Sequence, residues 1–111
     1  MTVNILGDKW TIRISKKEND PKLSYCDGYT DWTTRTIGVI DAEVDNESVQ
    51  DMDSYRNKVV RHEIVHAFLF ASGLANNSGS VDCWAQNEEM VDWFAFNGPK
   101  IYEAWRAVGA V

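Results

Sequence analysis

The sequence is short of the residues that define several classes of small protein. Its 111 residues include only two cysteines, Cys26 and Cys83, which are too few for the disulfide framework of a small secreted domain. Neither has metal-ligand spacing, so we expect reduced, packed thiols, with a single bridge as the alternative. Positive charge is also scarce, since 11 Lys and Arg stand against 17 Asp and Glu. This balance argues against nucleic-acid binding, which relies on cations that neutralise phosphates.

A long apolar run and a targeting segment are also missing from the sequence. The segment 64–75 is too short to span a bilayer, and it contains His66. The first residues lack the charged and apolar regions of a signal peptide. We therefore expect a cytoplasmic protein with no membrane partner, and we expect it to be a monomer.

The remaining composition is that of an ordinary globular domain. Hydrophobic residues make up 44% of the chain and charged residues 25%, so disorder throughout the chain is not expected. A chain of this length can bury one modest core. The sequence therefore predicts a single domain, 1–111.

Hydrophobic periodicity predicts a small sheet followed by three helices. Strict alternation of apolar and polar residues indicates strands, and apolar residues three or four apart indicate helices. The predicted strands, expected to form an antiparallel meander, are 9–15, 23–29 and 35–40. The predicted helices are 54–72, 83–96 and a last helix that opens at Pro99. This order of elements predicts the α+β class.

Glycine, proline and aspartate mark the ends of the predicted helices. Gly73 should end the first helix in the left-handed conformation. Asp82 can cap the second helix, which should end at Gly98. Pro99 suits the first position of the last helix, because its missing N–H would have no helical partner there.

Both histidines of the chain lie in one short motif, His62-Glu63-Ile64-Val65-His66. A shuffled sequence of this composition produces the pattern roughly once in a thousand times. Positions four apart share one face of a helix, so the two imidazoles can reach one metal ion. Glu63 lies one step round the helix, close enough to hydrogen-bond a water on that metal. Zinc suits this arrangement, because it binds imidazole and carboxylate and keeps one position open for water.

A second, acidic motif follows at Asn87-Glu88-Glu89-Met90-Val91-Asp92. Glu88 and Asp92 are again four apart and share a helix face. One carboxylate there can bind the metal while the other orients a ligand histidine, since metal-bound imidazoles usually donate their second N–H to such an acceptor. The alternative interpretation is a solvated acidic helix face.

Together the two motifs resemble the zinc signature of the gluzincin metallopeptidases, the thermolysin-like group. In that signature H-E-x-x-H is followed, about twenty residues later, by N-E-x-x-x-D. The resemblance implies that His62, His66 and Glu88 bind zinc, that Glu63 is the catalytic base and that Asp92 hydrogen-bonds a ligand histidine.

The short chain and the pattern W-x-x-N-E-x-x-V-D-W look most like the minimal metallopeptidases of phages and prophages. That likeness implies a zincin-like minimal core and the cytoplasm of a bacterial host. Glu89 stays open as the alternative third ligand.

The resemblance also implies a peptide or protein substrate bound along the edge of a strand. In gluzincins the strand nearest the zinc helix binds an extended peptide, which here would be 36–40; an ordinary sheet strand is the alternative. Gly38 within it predicts a bulge or the close approach of another backbone. Trp32, in a predicted turn, is the tryptophan that we expect to contact substrate.

One part of the gluzincin pattern is missing from this chain. Large gluzincins carry a helical C-terminal domain with a further catalytic His or Tyr, for which this sequence has no third histidine and little room. The candidates for a helper donor are Tyr25, Tyr29, Tyr55, Tyr102 and Arg106.

Two other functions compete with peptide hydrolysis. The first is a zinc-stabilised binding or regulatory module of a phage without physiological hydrolysis, which the missing helper residue would suit. The second is a structural core in which the two histidines are incidental.

Overall fold

The computed structural model describes residues 1–43, 50–78 and 87–111, without the side chains of Asn77 and Val91. Strands and helices alternate in a simple order along this part of the chain. The strands are β1 (Thr2–Ile5), β2 (Asp8–Ser15), β3 (Gly28–Asp31) and β4 (Thr36–Ile40). The α-helices are α1 (Met52–Ala71), α2 (Leu74–Asn77) and α3 (Glu88–Ala107), and Pro21–Ser24 forms a 3₁₀ helix. The α+β class is confirmed.

Strand β1, which the hydrophobic periodicity does not predict, forms a tight hairpin with β2. Ile5 lies opposite Asp8, so two residues, Leu6 and Gly7, make the turn. Both have positive φ, 52° and 94°, as in the type I′ turn that suits a two-residue hairpin. Asn-Gly is the usual sequence for that turn, so the Leu-Gly sequence did not predict a hairpin here.

The sheet is mixed, with the strand order β1-β2-β4-β3. β2 and β4 run parallel, whereas β1 and β3 are antiparallel to their neighbours. The four strands are roughly consistent with the predicted sheet of about three, whereas the prediction that all strands are antiparallel is wrong, because β2 and β4 are parallel. The reason is that β3 and β4 form a hairpin that inserts β4, not β3, beside β2.

The predicted strand 23–29 is replaced by two shorter elements. Asp20 caps the 3₁₀ helix by accepting a hydrogen bond from the Lys22 N–H, and Pro21 opens it. Proline has no N–H for a strand ladder but suits the first position of a helical turn. Extended structure therefore begins only at Gly28.

One face of the sheet packs against α1 and α3 to form the core. Alternate residues of β1, β2 and β4 supply one side of it, and the apolar faces of the two helices supply the other. The largest fully buried side chains are Trp10, Phe68, Ile5, Ile12, Ile37, Ile64, Ile101 and Val39. Burial of each apolar side chain contributes about 1.5–3 kcal/mol.

Helix α1 matches its predicted span within two residues at its start and one at its end. Asp51 caps it by accepting a hydrogen bond from the Ser54 N–H at 3.0 Å. Gly73 follows the C-cap with φ 83°, the left-handed conformation that the sequence predicts and that glycine adopts without steric cost.

Helix α3 continues through the point where the sequence predicts a break. It begins at Glu88, with Asn87 as its N-cap, and contains Pro99 in its interior. The two predicted helices meeting at Pro99 are thus one helix. Pro99 leaves the carbonyl of Ala95 without its usual partner, and burial of Ile101 beyond it holds the helix against the core. The predicted cap Asp82 lies outside the described residues.

Two further expectations concern the cysteines and the membrane. Cys26 is free and exposed, not packed, and its thiol donates to the Lys22 carbonyl at 3.4 Å; Cys83 lies outside the described residues. No helix in the described part of the chain is both long and apolar enough to cross a bilayer.

Candidate metal centre

His62 and His66 converge on one point at the surface of α1. Both side chains are exposed, and their Nε2 atoms are 3.1 Å apart. The rings meet edge to face, with centroids 4.8 Å apart. At this distance either one imidazole donates its N–H to the other, or both direct lone pairs at a shared cation.

The spacing of the two nitrogens fits zinc. Imidazole binds zinc at about 2.0–2.1 Å in a tetrahedral site, which separates two ligand nitrogens by about 3.3 Å. The observed 3.1 Å is close to that value. His62 and His66 therefore need little movement to become two ligands of one ion.

Glu63, between the histidines in sequence, points from α1 towards strand β3. Its side chain is only 6% exposed. The Thr30 hydroxyl lies 3.0 Å from Glu63 Oε1 and 3.1 Å from the Glu63 carbonyl oxygen. Gly28 leaves room for the carboxylate, because a Cβ there would lie 3.0 Å from Glu63 Oε2.

An open cleft of about 220 Å³ lies between α1 and β3. Its lining residues are Asp27, Gly28, Tyr55, Lys58, Val59, His62 and Glu63. Glu63 is thus mostly buried but borders the same open space as one of the two histidines. A carboxylate and an imidazole are both side chains that can transfer protons.

Tyr55 is the one helper candidate that lines this cleft. Its hydroxyl donates a hydrogen bond to Asp27 Oδ2. This bond is the main reason why the pKa of Tyr55 is raised, followed by partial burial. Tyr29 instead donates to Asp20, and Tyr25 is almost fully exposed.

Strand β3 runs alongside α1 in the same direction. Within the strand, Gly28 meets Val59 and Thr30 meets Glu63. Just before the strand Asp27 meets Tyr55, and just after it Trp32 meets Phe70. Trp32 is 54% exposed, and its ring stacks on Phe70 with centroids 6.4 Å apart. It therefore extends the line of the cleft past the histidines as an exposed aromatic surface.

The prediction that 36–40 offers a free edge is wrong. β4 pairs with β2 on one side and with β3 on the other. Among the described strands, β3 is the edge strand on the side of the histidines. Gly38 is crowded by the side chain of Tyr29 and not by another backbone as predicted, since a Cβ at Gly38 would overlap the Tyr29 ring.

The acidic motif lies at the start of α3. Asn87 accepts a hydrogen bond from the Met90 N–H at 3.0 Å, and Glu88, Glu89 and Asp92 are exposed. Carboxylates in a first helical turn are favoured by the helix dipole. Within the described ranges, no set of three His, Cys, Asp or Glu residues is arranged to hold a metal. The roles of Glu88 or Glu89 as the third ligand and of Asp92 as the hydrogen-bond partner of a ligand histidine stay predictions.

Thr30, Gly28 and Asp27 were not identified by the sequence analysis. The contact of Thr30 with Glu63 joins residues 33 positions apart, and neither lies in a motif that points to the other. Only alternation along β3 hints at it, because residues 28 and 30 of one strand face the same way.

Comparisons with models of protein families, with curated proteins and with solved structures found no match.

Proposed function

We propose that this protein is a zinc-dependent metallopeptidase of minimal size. His62 and His66 would bind the zinc ion, Glu88 would complete the protein ligands, and Glu63 would be the general base. Asp92 would orient a ligand histidine. The observation that carries the proposal is the convergence of the two Nε2 atoms at 3.1 Å beside the cleft that Glu63 lines.

The chain's own groups can perform the proton transfers of peptide hydrolysis. Zinc, when bound, supplies a Lewis acid that activates water and polarises a carbonyl near neutral pH. The Glu63 carboxylate would accept the proton of the attacking water and deliver it to the leaving amine. Tyr55 is the candidate donor that lines the same cleft, and donation to a substrate carbonyl would require its hydroxyl to leave Asp27.

A peptide substrate is supported by the position of β3 at the sheet edge. An extended peptide added to β3 would pass beside Glu63 and the histidines. Main-chain hydrogen bonds along such an edge give affinity, while side-chain selectivity comes from neighbouring pockets. In this proposal the substrate-binding role that the resemblance implies for an edge strand would be taken by β3 rather than by β4.

The first test is the metal content of the purified protein without added zinc. About one zinc per chain is expected in the wild type and almost none in His66→Ala. Glu88→Ala and Glu89→Ala form a matched pair, of which only the true third ligand should weaken zinc binding. Absence of zinc from the wild type after direct zinc titration would exclude the proposed site.

The second test separates hydrolysis from metal binding. Glu63→Gln should keep the zinc and lose cleavage of a peptide library, because the amide cannot accept the proton of the attacking water. Full activity of Glu63→Gln would refute the mechanism.

A zinc-stabilised binding module is the second candidate. The observation that favours it is the burial of Glu63 under Thr30, which a purely structural carboxylate would also show. In that case zinc would raise the melting temperature, yet neither the wild type nor Glu63→Gln would cleave any peptide in the library.

A further inference from the structure

Glu63 is a buried acidic residue with a specific partner from another element. It and Asn97 are the buried polar side chains in the described part of the chain. Burial of a carboxylate is costly unless hydrogen bonds replace its hydration. Thr30, on β3, approaches both Glu63 Oε1 and the Glu63 carbonyl oxygen, so its single hydroxyl hydrogen must be assigned to one of them.

The carboxylate is the better acceptor of that hydrogen. The Glu63 carbonyl lies inside α1, where the N–H four residues later already bonds to it. The distance from the Thr30 hydroxyl to Glu63 Oε1, 3.0 Å, is also the shorter of the two. We therefore assign the Thr30 hydrogen bond to Oε1.

Gly28 confines the same carboxylate from a second direction. Residues 28 and 30 point to the same side of β3. A Cβ at Gly28 would lie 3.0 Å from Glu63 Oε2 and 3.1 Å from Glu63 Cγ. One oxygen is thus held by the Thr30 hydroxyl while the other lies against the bare backbone of Gly28.

We propose that Thr30 is a positioning residue for Glu63: its hydroxyl fixes the carboxylate at the cleft, and β3 thereby couples the sheet edge to the base. The catalytic consequence rests on the proposed function, whereas the contact itself does not. Thr30 touches no reacting atom in this arrangement and acts through Glu63 alone.

Steady-state kinetics of two variants test the catalytic consequence. Thr30→Val keeps the shape and removes the hydroxyl, and Thr30→Ser keeps the hydroxyl. Thr30→Val should lower kcat about 10- to 100-fold, because a misplaced catalytic group reacts slowly, with KM within about twofold and zinc content unchanged. Thr30→Ser should recover most of kcat. An unchanged kcat in Thr30→Val, or equal losses in both variants, would overturn the proposal.

Urea unfolding of the metal-free protein tests the contact without any activity measurement. Thr30→Val should lower the urea midpoint in the wild-type background, and the shift should be at least halved in a Glu63→Ala background, since the acceptor is already missing. Thr30→Ser should shift the midpoint less than Thr30→Val does. Equal shifts for Thr30→Val in both backgrounds would show that Thr30 does not act through Glu63.

The two experiments distinguish failure of this inference from failure of the proposed function. If the wild type cleaves peptides and the Thr30→Val shifts are independent of Glu63, the function stands and the positioning role is wrong. If the wild type cleaves nothing, the peptidase assignment is wrong, and the urea comparison alone decides the contact between Thr30 and Glu63.

Discussion

Replacement of Gly28 by alanine tests the packing between β3 and α1 directly. The new Cβ would lie 2.7 Å from Val59 Cγ1, in addition to its close approach to the Glu63 carboxylate. Carbon atoms pack at about 3.5–4.0 Å, so one of the two elements must move. Gly28 does not have positive φ, so this clash, rather than backbone strain, is the main cause of the expected effect.

The magnitude follows from the stiffness of the two neighbours. Val59 is buried and β-branched, with one preferred rotamer in a helix, and Thr30 holds Glu63. Overpacking of this kind costs about 1–3 kcal/mol, and the reduced entropy of the unfolded chain offsets about 0.4–1 kcal/mol. We expect a net loss of about 1–2 kcal/mol in the free energy of unfolding. For a chain of this length that corresponds to a fall of about 4–8 °C in Tm.

Gly98→Ala is the matched control for this substitution. Gly98 lies within α3, and a Cβ there would meet nothing within 4 Å beyond its chain neighbours. Alanine in a helix interior is favoured over glycine by about 0.5–1 kcal/mol, but the ring of Pro99 crowds a Cβ on the helical residue before it. Because these two effects oppose each other, Gly98→Ala should lower stability much less than Gly28→Ala in thermal and urea unfolding.

A compensating variant identifies the clash. Val59→Ala removes the crowded methyl groups, so the double variant with Gly28→Ala should be more stable than the sum of the two single effects predicts. If Gly28→Ala is as stable as the wild type, or if the two effects are additive, the close packing of β3 on α1 described above is refuted.

Two further predictions concern the stability of elements around the site. Burial, followed by the hydrogen bond to Asp20, raises the pKa of Tyr29 to about 12 from an ordinary value near 10. A raised pKa in the folded state means that the contribution to stability is complete below about pH 10 and is lost as pH rises towards 12. The urea midpoint should therefore decrease between pH 10 and pH 12, and Tyr29→Phe should reduce that decrease; an equal decrease in the variant would contradict the assignment. Asn87→Ala should remove the cap of α3 and lower stability by about 1 kcal/mol, whereas Asn87→Asp should preserve it. Thermal unfolding of the two variants checks this, and equal losses would rule out the cap.

Much of the fold could be predicted from signals that lie within single segments of the sequence. α1, β2 and β4 were found because their apolar periodicity and end signals are contained within each segment. The prediction that a new helix begins at Pro99 was wrong. Proline is common at the first position of a helix, whereas its tolerance inside α3 depends on tertiary packing that the local sequence does not show. β1 was missed because Leu6 takes the left-handed conformation that Asn or Gly usually supplies.

The sequence by itself determined the pair of imidazoles. His62 and His66 are four residues apart, so helix geometry alone places the two side chains on one face. The tertiary structure decided the surroundings of Glu63. Strand order is not contained in local periodicity, so only the folded chain shows that β3, not β4, is the edge strand beside α1. Thr30 and Gly28 reach Glu63 across more than thirty residues, because the sheet and the helix must bury their apolar faces against each other.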